Sequence, residues 1–201
     1  HTPYTAPEPF AGRYPDEPYN AEIAWTDSLV GDLLAALDRL GLTRRTIVAL
    51  IGDHGESLGE HGEAGHGYFV YEPSIRVPFA LAAPYPKLAG RSVAAVVGQA
   101  DLAPTLLELA GVATNDGAGL EPGQGRSLVP LVAGVGDPAG APPRGYFETF
   151  VPRLHFGWSE LRGVRKGPWQ LPAAPPPEPS HLAAAPRART NLAERARRTL
   201  A

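Results

Sequence analysis

Thr46-Ile47-Val48-Ala49-Leu50-Ile51 is an unbroken, largely β-branched apolar run, and Gly52-Asp53-His54-Gly55-Glu56 follows it directly. A run this short and apolar has the pattern of a parallel strand buried on both faces. Upstream, Ile23, Val30, Leu33, Leu34 and Leu37 recur near helical spacing between Tyr19 and Leu40, and Gly41 supplies a stop. A helix feeding a buried strand is the signature of an α/β fold. Such sheets place ligands and catalytic groups outside the carboxyl ends of their strands, so chemistry is expected at Gly52 to Glu56.

A second strand is expected over Val77 to Leu81, and a helix from an Asp101 cap through Leu109 to a stop at Gly111. Residues 112–143 read as a Gly/Pro-rich connection. Strand-like pieces at Tyr146 to Thr149 and Leu161 to Trp169 then point to a small antiparallel α+β appendage. Residues 172–186 are rich in Pro and Ala, and 187–201 read as a basic tail or short helix. The expected division is therefore 1–143, 144–186 and 187–201.

With 201 residues, 43% of them hydrophobic, the chain is long enough to bury a substantial core. No apolar run approaches the roughly 18–20 residues of a membrane span. There is no Cys, which excludes a disulfide frame and a thiolate metal site. Charge is polarised: residues 1–143 hold 8 basic and 17 acidic side chains, and residues 144–201 hold 10 and 4. The late arginines, from Arg187 to Arg198, lack interleaved aromatics for base stacking, so they read as a solvated tail rather than a nucleic-acid surface. The chain has no Met and begins at His1 inside a proline-rich polar stretch, so an upstream part is expected.

The segment Gly52 to Gly67 holds Asp53, His54, Glu56, Glu60, His61, Glu63 and His66, spaced by glycines that permit tight turns and close approach. A carboxylate beside an imidazole at a strand end can bind a divalent cation, with Asp53 as oxygen ligand and His54 as nitrogen ligand. The alternative is that Asp53 caps the following loop and His54 hydrogen-bonds in the core. His61 and His66 could contact an anion, or be ordinary loop histidines.

Asp53-His54-Gly55-Glu56, then Leu58-Gly59-Glu60-His61-Gly62, Gly65-His66-Gly67, Tyr71-Glu72 and Ser74-Ile75-Arg76-Val77-Pro78 together resemble the sulfatase family of the alkaline-phosphatase-like superfamily. His1-Thr2-Pro3-Tyr4 is similar to that family's His-x-Pro-Tyr segment, and Gln99 to Thr105 to its Asp-x-x-Pro-Thr helix start. Glu148-Thr149 and Pro152 to Arg162 resemble the C-terminal part of one sulfatase branch. His181 to Pro186 and Asn191-Leu192 keep only an outline of the family's closing pattern, with Ala or Ser where acidic residues are expected.

The resemblance implies a partial alkaline-phosphatase-like sandwich, the C-terminal portion of a sulfatase, with the small appendage described above. It also implies sulfate-ester hydrolysis by a formylglycine made from Cys or Ser in a Cys/Ser-x-Pro-x-Arg motif, assisted by calcium, with magnesium or manganese as other candidates. That motif is absent from this sequence, so the nucleophile is expected upstream. Asp53 and His54 match the family's metal pair. His66 matches a residue that neutralises the sulfate or protonates the leaving oxygen, and His1 a histidine approaching the sulfate from another loop. Glu56, Glu60, Glu63 and His61 are expected to shape the loop or orient ligands, and Arg76 to anchor the following strand by pairing. His155, Trp158 and Arg162 are expected to pack the appendage onto the main domain.

The expected partner is a small-molecule or glycan sulfate ester, and many of the family are exported. Two other readings stay open: a phosphodiesterase or phosphonate monoester hydrolase on the same scaffold, and a non-catalytic remnant serving as a binding module.

Overall fold

The computed structural model describes residues 2–112, 125–136, 144–173 and 180–181. The chain divides into two compact units, His1–Thr46 and Ile47–Ala201. The boundary expected after residue 143 adjoins residues outside the described set, as do the tail over 187–201 and much of the connection over 112–143.

The first unit is one long helix with a short one before it: α1, Phe10–Arg13, and α2, Pro18–Arg39. Pro18 starts α2 at a position where its missing N–H costs nothing. At the other end Gly41 adopts φ 65°, its amide bonds the Asp38 carbonyl at 2.9 Å, and the Leu42 amide bonds the Leu37 carbonyl at 2.8 Å. This paired termination is what a glycine just past a helix provides. Helix position follows the expectation, but burial does not. Ala21 alone is buried in α2, while Ile23, Leu33 and Leu34 are about half exposed. Within its unit α2 meets the single turn of α1, the 3₁₀ turn Thr43–Arg45 and the segment carrying Tyr4 and Thr5, too little to cover an apolar stripe of six turns.

In the second unit β1, Val48–Ile51, pairs with β4, Phe79–Ala82, in antiparallel register from Val48 opposite Ala82 to Ile51 opposite Phe79. This corrects the expected parallel strand. β1 is also half-buried rather than buried on both faces, with Leu50 exposed. An apolar run reports burial, and strand direction depends on a partner that the run itself does not name.

Between these strands lie β2, Ser57–Leu58, and β3, Ala64–Gly65, which pair around a 3₁₀ turn at Glu60–Gly62, followed by α3, Glu72–Ile75. After β4, a 3₁₀ turn at Gln99–Asp101 leads into α4, Leu102–Leu109, and later α5, Val129–Ala133. Asp101 does not cap α4 as expected. Its carboxylate accepts the Gly98 and Arg126 amides, both at 2.9 Å, and so closes the preceding turn and ties in the chain before α5. Fully buried Thr105 completes that staple, donating to the Asp101 carbonyl at 2.6 Å and accepting from the Leu128 amide at 2.9 Å. Among the described residues of this unit Val70, Leu109 and Leu128 are the buried apolar side chains.

The appendage is the expected antiparallel α+β structure. β5, Arg144–Thr149, β6, Leu161–Lys166, β7, Trp169–Ala173, and β8, Ser180–His181, form a four-stranded sheet in sequence order, with α6, Val151–Phe156, between β5 and β6. Three polar links tie it to the chain after β3. Arg165 Nη1 bonds both Glu72 oxygens at 3.0 and 3.1 Å, buried Gln170 donates to the Val70 carbonyl at 2.9 Å, and the Thr149 hydroxyl donates to the Gly67 carbonyl. Among the described residues no helix is long and apolar enough to cross a membrane.

Candidate active site

The Asp53 to Glu56 turn is fixed from both sides. Gly52 bonds the Pro78 carbonyl at 3.2 Å and Gly55 bonds the Ser74 carbonyl at 2.8 Å, so the segment before β4 holds the turn that leaves β1. A Cβ on Gly55 would lie 2.0 Å from the Pro73 carbonyl oxygen, which restricts that position to glycine. The Gln99 side-chain amide bonds the Gly52 and Asp53 carbonyls at 2.7 and 2.5 Å.

This frame puts the Asp53 carboxylate in solvent, with 92% of the side chain exposed and Oδ2 3.8 Å from His54 Nε2. Asp53 Oδ1 accepts the His54 amide at 3.1 Å. Hydrogen bonding from its own backbone, and then the neighbouring His54, holds the Asp53 carboxyl below its ordinary range, so it is an anion at neutral pH. His54 Nδ1 lies 2.8 Å from the Gly55 carbonyl. A carbonyl only accepts, so Nδ1 carries the proton and the lone pair of the neutral ring sits on Nε2, the nitrogen nearer Asp53.

His66 is brought to the same place from ten residues on. Its ring stacks on His54 with centroids 3.7 Å apart and 27° between planes, and its Nδ1 lies 2.9 Å from Glu56 Oε1. Glu56 is nearly buried, with its side chain 6% exposed, and His66 is 28% exposed. A buried carboxylate on one ring nitrogen fixes the orientation of the ring and keeps a proton on Nδ1.

The remaining candidates hold the loop. Buried Glu63 accepts the Tyr68 and Phe69 amides at 2.8 and 3.3 Å and the Ser74 hydroxyl at 3.4 Å. Glu60 accepts the Leu58 amide at 2.7 Å. His61, at φ 57°, stacks on Tyr71 with centroids 3.7 Å apart. Glu72 takes Arg165 as its partner, with Nη1 on both carboxylate oxygens. Burial pushes the Glu72 carboxyl above its ordinary value, against the pull of Arg165.

Asp53, His54 and His66 are thus assembled, while His1 lies outside the described residues. Among the described residues no third His, Asp or Glu joins Asp53 and His54 as a metal cluster. One ionised carboxylate and one oriented imidazole fit half of a divalent-cation site. A cavity of about 940 Å³ is lined by Ile51, Arg76, Phe79, Val97, Gln99 and Arg165 among others; none of Asp53, His54 or His66 lines it. Sequence reasoning missed the Gln99 tether and the Arg165–Glu72 pair. Gln99 stands in a recognisable motif, but nothing in that motif names carbonyls 46 and 47 residues away.

Residues 1–112 match the sulfatase family profile. Mouse steryl-sulfatase is 36% identical over 146 residues, which cover 67% of this chain and 23% of that protein. A protein solved in complex with its substrate D-glucosamine-2-N,6-O-disulfate superposes with a TM-score of 0.74 at 26% identity, covering 90% of this chain and 37% of the other. The phosphonate monoester hydrolase of Agrobacterium radiobacter gives 0.71 at 28% identity, covering 88% and 36%. The chain therefore spans about a quarter to under two fifths of the length of these three proteins. A profile covering more than half of the sequence, and including the loop that joins Asp53, His54 and His66, establishes that this chain belongs to the sulfatase family of the alkaline-phosphatase-like superfamily.

Proposed function

We propose that this chain contributes the Asp53–His54 half of a metal site and the His66 acid of a sulfate-ester hydrolase. The observation that carries the reading is the convergence of three side chains, Asp53 and His54 from the end of β1 and His66 locked by Glu56, on one exposed spot. Asp53 and His54 would hold Ca2+, with Mg2+ or Mn2+ as other candidates, and a bound cation draws electron density from the sulfate oxygens. The nucleophile, a formylglycine, would come from polypeptide outside this sequence.

The chain's own residues then have separable tasks. Asp53 supplies fixed negative charge because its carboxyl stays ionised. His66, oriented through Nδ1, offers Nε2 to the ester; as the imidazolium, with a proton on each ring nitrogen, it neutralises the anion or protonates the leaving oxygen from Nε2. Gln99, Gly55 and Glu63 hold the loop so that these groups need not reorganise. The likeness to a phosphonate monoester hydrolase supports a second reading, cleavage of phosphonate or phosphate esters by the same groups.

The test is the rate of the full polypeptide carrying this sequence on 4-nitrophenyl sulfate and on 4-nitrophenyl phenylphosphonate, in wild type and His66→Ala. Preference for the sulfate, with a loss of about 10²–10⁴-fold in the variant, is the expected result. Preference for the phosphonate moves the assignment to the second reading. Cleavage of neither ester leaves the binding-module reading in its place.

A further inference from the structure

The sequence reading has Trp158 pack the appendage onto the main domain, yet it is 64% exposed. Its ring stacks on Phe156 at 4.8 Å with 29° between planes, and Phe156 lies 5.8 Å from the Tyr68 ring. Phe156 and Tyr68 are 49% and 42% exposed. Three neighbouring aromatic rings, each about half open to water, make an apolar patch of the kind that marks a binding surface.

The three rings are held to the candidate site. Tyr68 is two residues from His66, and the Thr149 hydroxyl, at the start of the turn into α6, donates to the Gly67 carbonyl between them. The Val151 amide bonds Thr149 Oγ1 at 3.3 Å, and the Trp158 amide bonds the Pro152 carbonyl at 3.1 Å, which fixes both ends of α6. Glu160, two residues after Trp158, takes Arg153 and Arg162, each at 2.6 Å. Arg153 holds the Glu160 carboxyl below its ordinary range, so this rim stays charged.

We propose that Tyr68, Phe156 and Trp158 form a platform for the sugar ring of a sulfated pyranose whose sulfate lies at His66. The C–H face of a pyranose is apolar and stacks on an aromatic face, while its equatorial hydroxyls reach sideways to polar groups. Stacked rings bordered by Arg153, Glu160 and Arg162 offer both. A sterol requires an enclosed apolar groove and would desolvate those charges without compensation. This inference rests on the sulfate-ester reading for the anion at His66, and it adds the class of substrate.

The experiment titrates the full polypeptide with glucosamine 6-sulfate and, separately, with inorganic sulfate, following the Trp158 indole and His66 ring resonances by NMR and the affinity by calorimetry. The expected result is that the sugar sulfate shifts both resonances. Trp158→Ala and Phe156→Ala should each weaken it about three- to tenfold, with inorganic sulfate unaffected. Both positions are exposed, and unchanged melting of the variants checks that they fold. Equal sugar affinity in wild type and Trp158→Ala overturns the platform while leaving the sulfate-ester reading standing. Stronger dependence on Trp158 for a sterol sulfate than for the sugar overturns the pyranose assignment. A shift at Trp158 with none at His66 overturns the placement of the sulfate, and counts against the site reading rather than against the stacking surface.

Discussion

The His54 and His66 rings lie face to face, 3.7 Å between centroids, with each Nδ1 engaged by a different acceptor: the Gly55 carbonyl for His54 and the Glu56 carboxylate for His66. The two imidazoles are therefore oriented by adjacent residues of one turn. A ligand of His54 and a proton donor at His66 would share a single rigid frame, so a change in that frame should affect both.

On the proposed reading Glu56 positions His66 through the Nδ1 contact. Glu56→Ala should lower kcat by about 10–100-fold through loss of the His66 orientation, and Glu56→Gln should restore much of it because its amide oxygen still accepts from Nδ1. Steady-state kinetics of the two variants decide: equal losses would mean that only the carboxylate charge matters, and no loss would remove Glu56 from the site.

Gly55→Ala places a methyl group against the Pro73 carbonyl. Overpacking against backbone costs about 1–3 kcal/mol, read as a lower denaturant midpoint, with activity falling further than stability because the strained turn carries Asp53 and His54. An unchanged midpoint would show that the turn is looser than described.

Gln99→Leu removes two hydrogen bonds to the carbonyls of Gly52 and Asp53. A stability loss of about 1–2 kcal/mol is expected by denaturation, together with weaker divalent-cation binding by calorimetry. Cation affinity equal to wild type would separate Gln99 from the Asp53 turn.

Arg165→Met leaves the Glu72 carboxyl buried without its partner. Because Arg165 is about a quarter exposed, the expected loss near neutral pH is about 2–3 kcal/mol, below the ~3–5 kcal/mol of a fully buried pair. Burial already raises the Glu72 value, and losing Arg165 raises it further. A carboxyl raised in the folded state stabilises the fold when protonated; that contribution is complete below the unfolded value and is lost as pH rises through the folded one. The deficit of the variant should therefore shrink on acidification from about pH 7 toward the ordinary glutamate range. Denaturant midpoints across that interval test this, and a deficit independent of pH would contradict it.

Local pattern carried much of this in the sequence. Gly41 marked the end of α2 because chain reversal there needs positive φ, and the apolar run at Val48–Ile51 marked a strand whose end bears the site. Partners distant in sequence were not legible. The direction of β1 depends on β4, the Arg165–Glu72 pair spans 93 residues, and Gln99 reaches back to Asp53 across 46. Trp158 was misread for the same reason: an aromatic residue predicts burial on average, and only the assembled sheet leaves it exposed.

The most direct measurement is the rate of 4-nitrophenyl sulfate hydrolysis by the full polypeptide after metal removal and restoration with Ca2+, comparing wild type with Asp53→Asn. Wild type should lose activity on chelation and regain it with the cation. The variant, which keeps the shape of the side chain but not its charge, should stay at least about 100-fold lower at any practical cation concentration. Activity in Asp53→Asn equal to wild type, or hydrolysis indifferent to chelation, would contradict the assignment of Asp53 and His54 to the metal site.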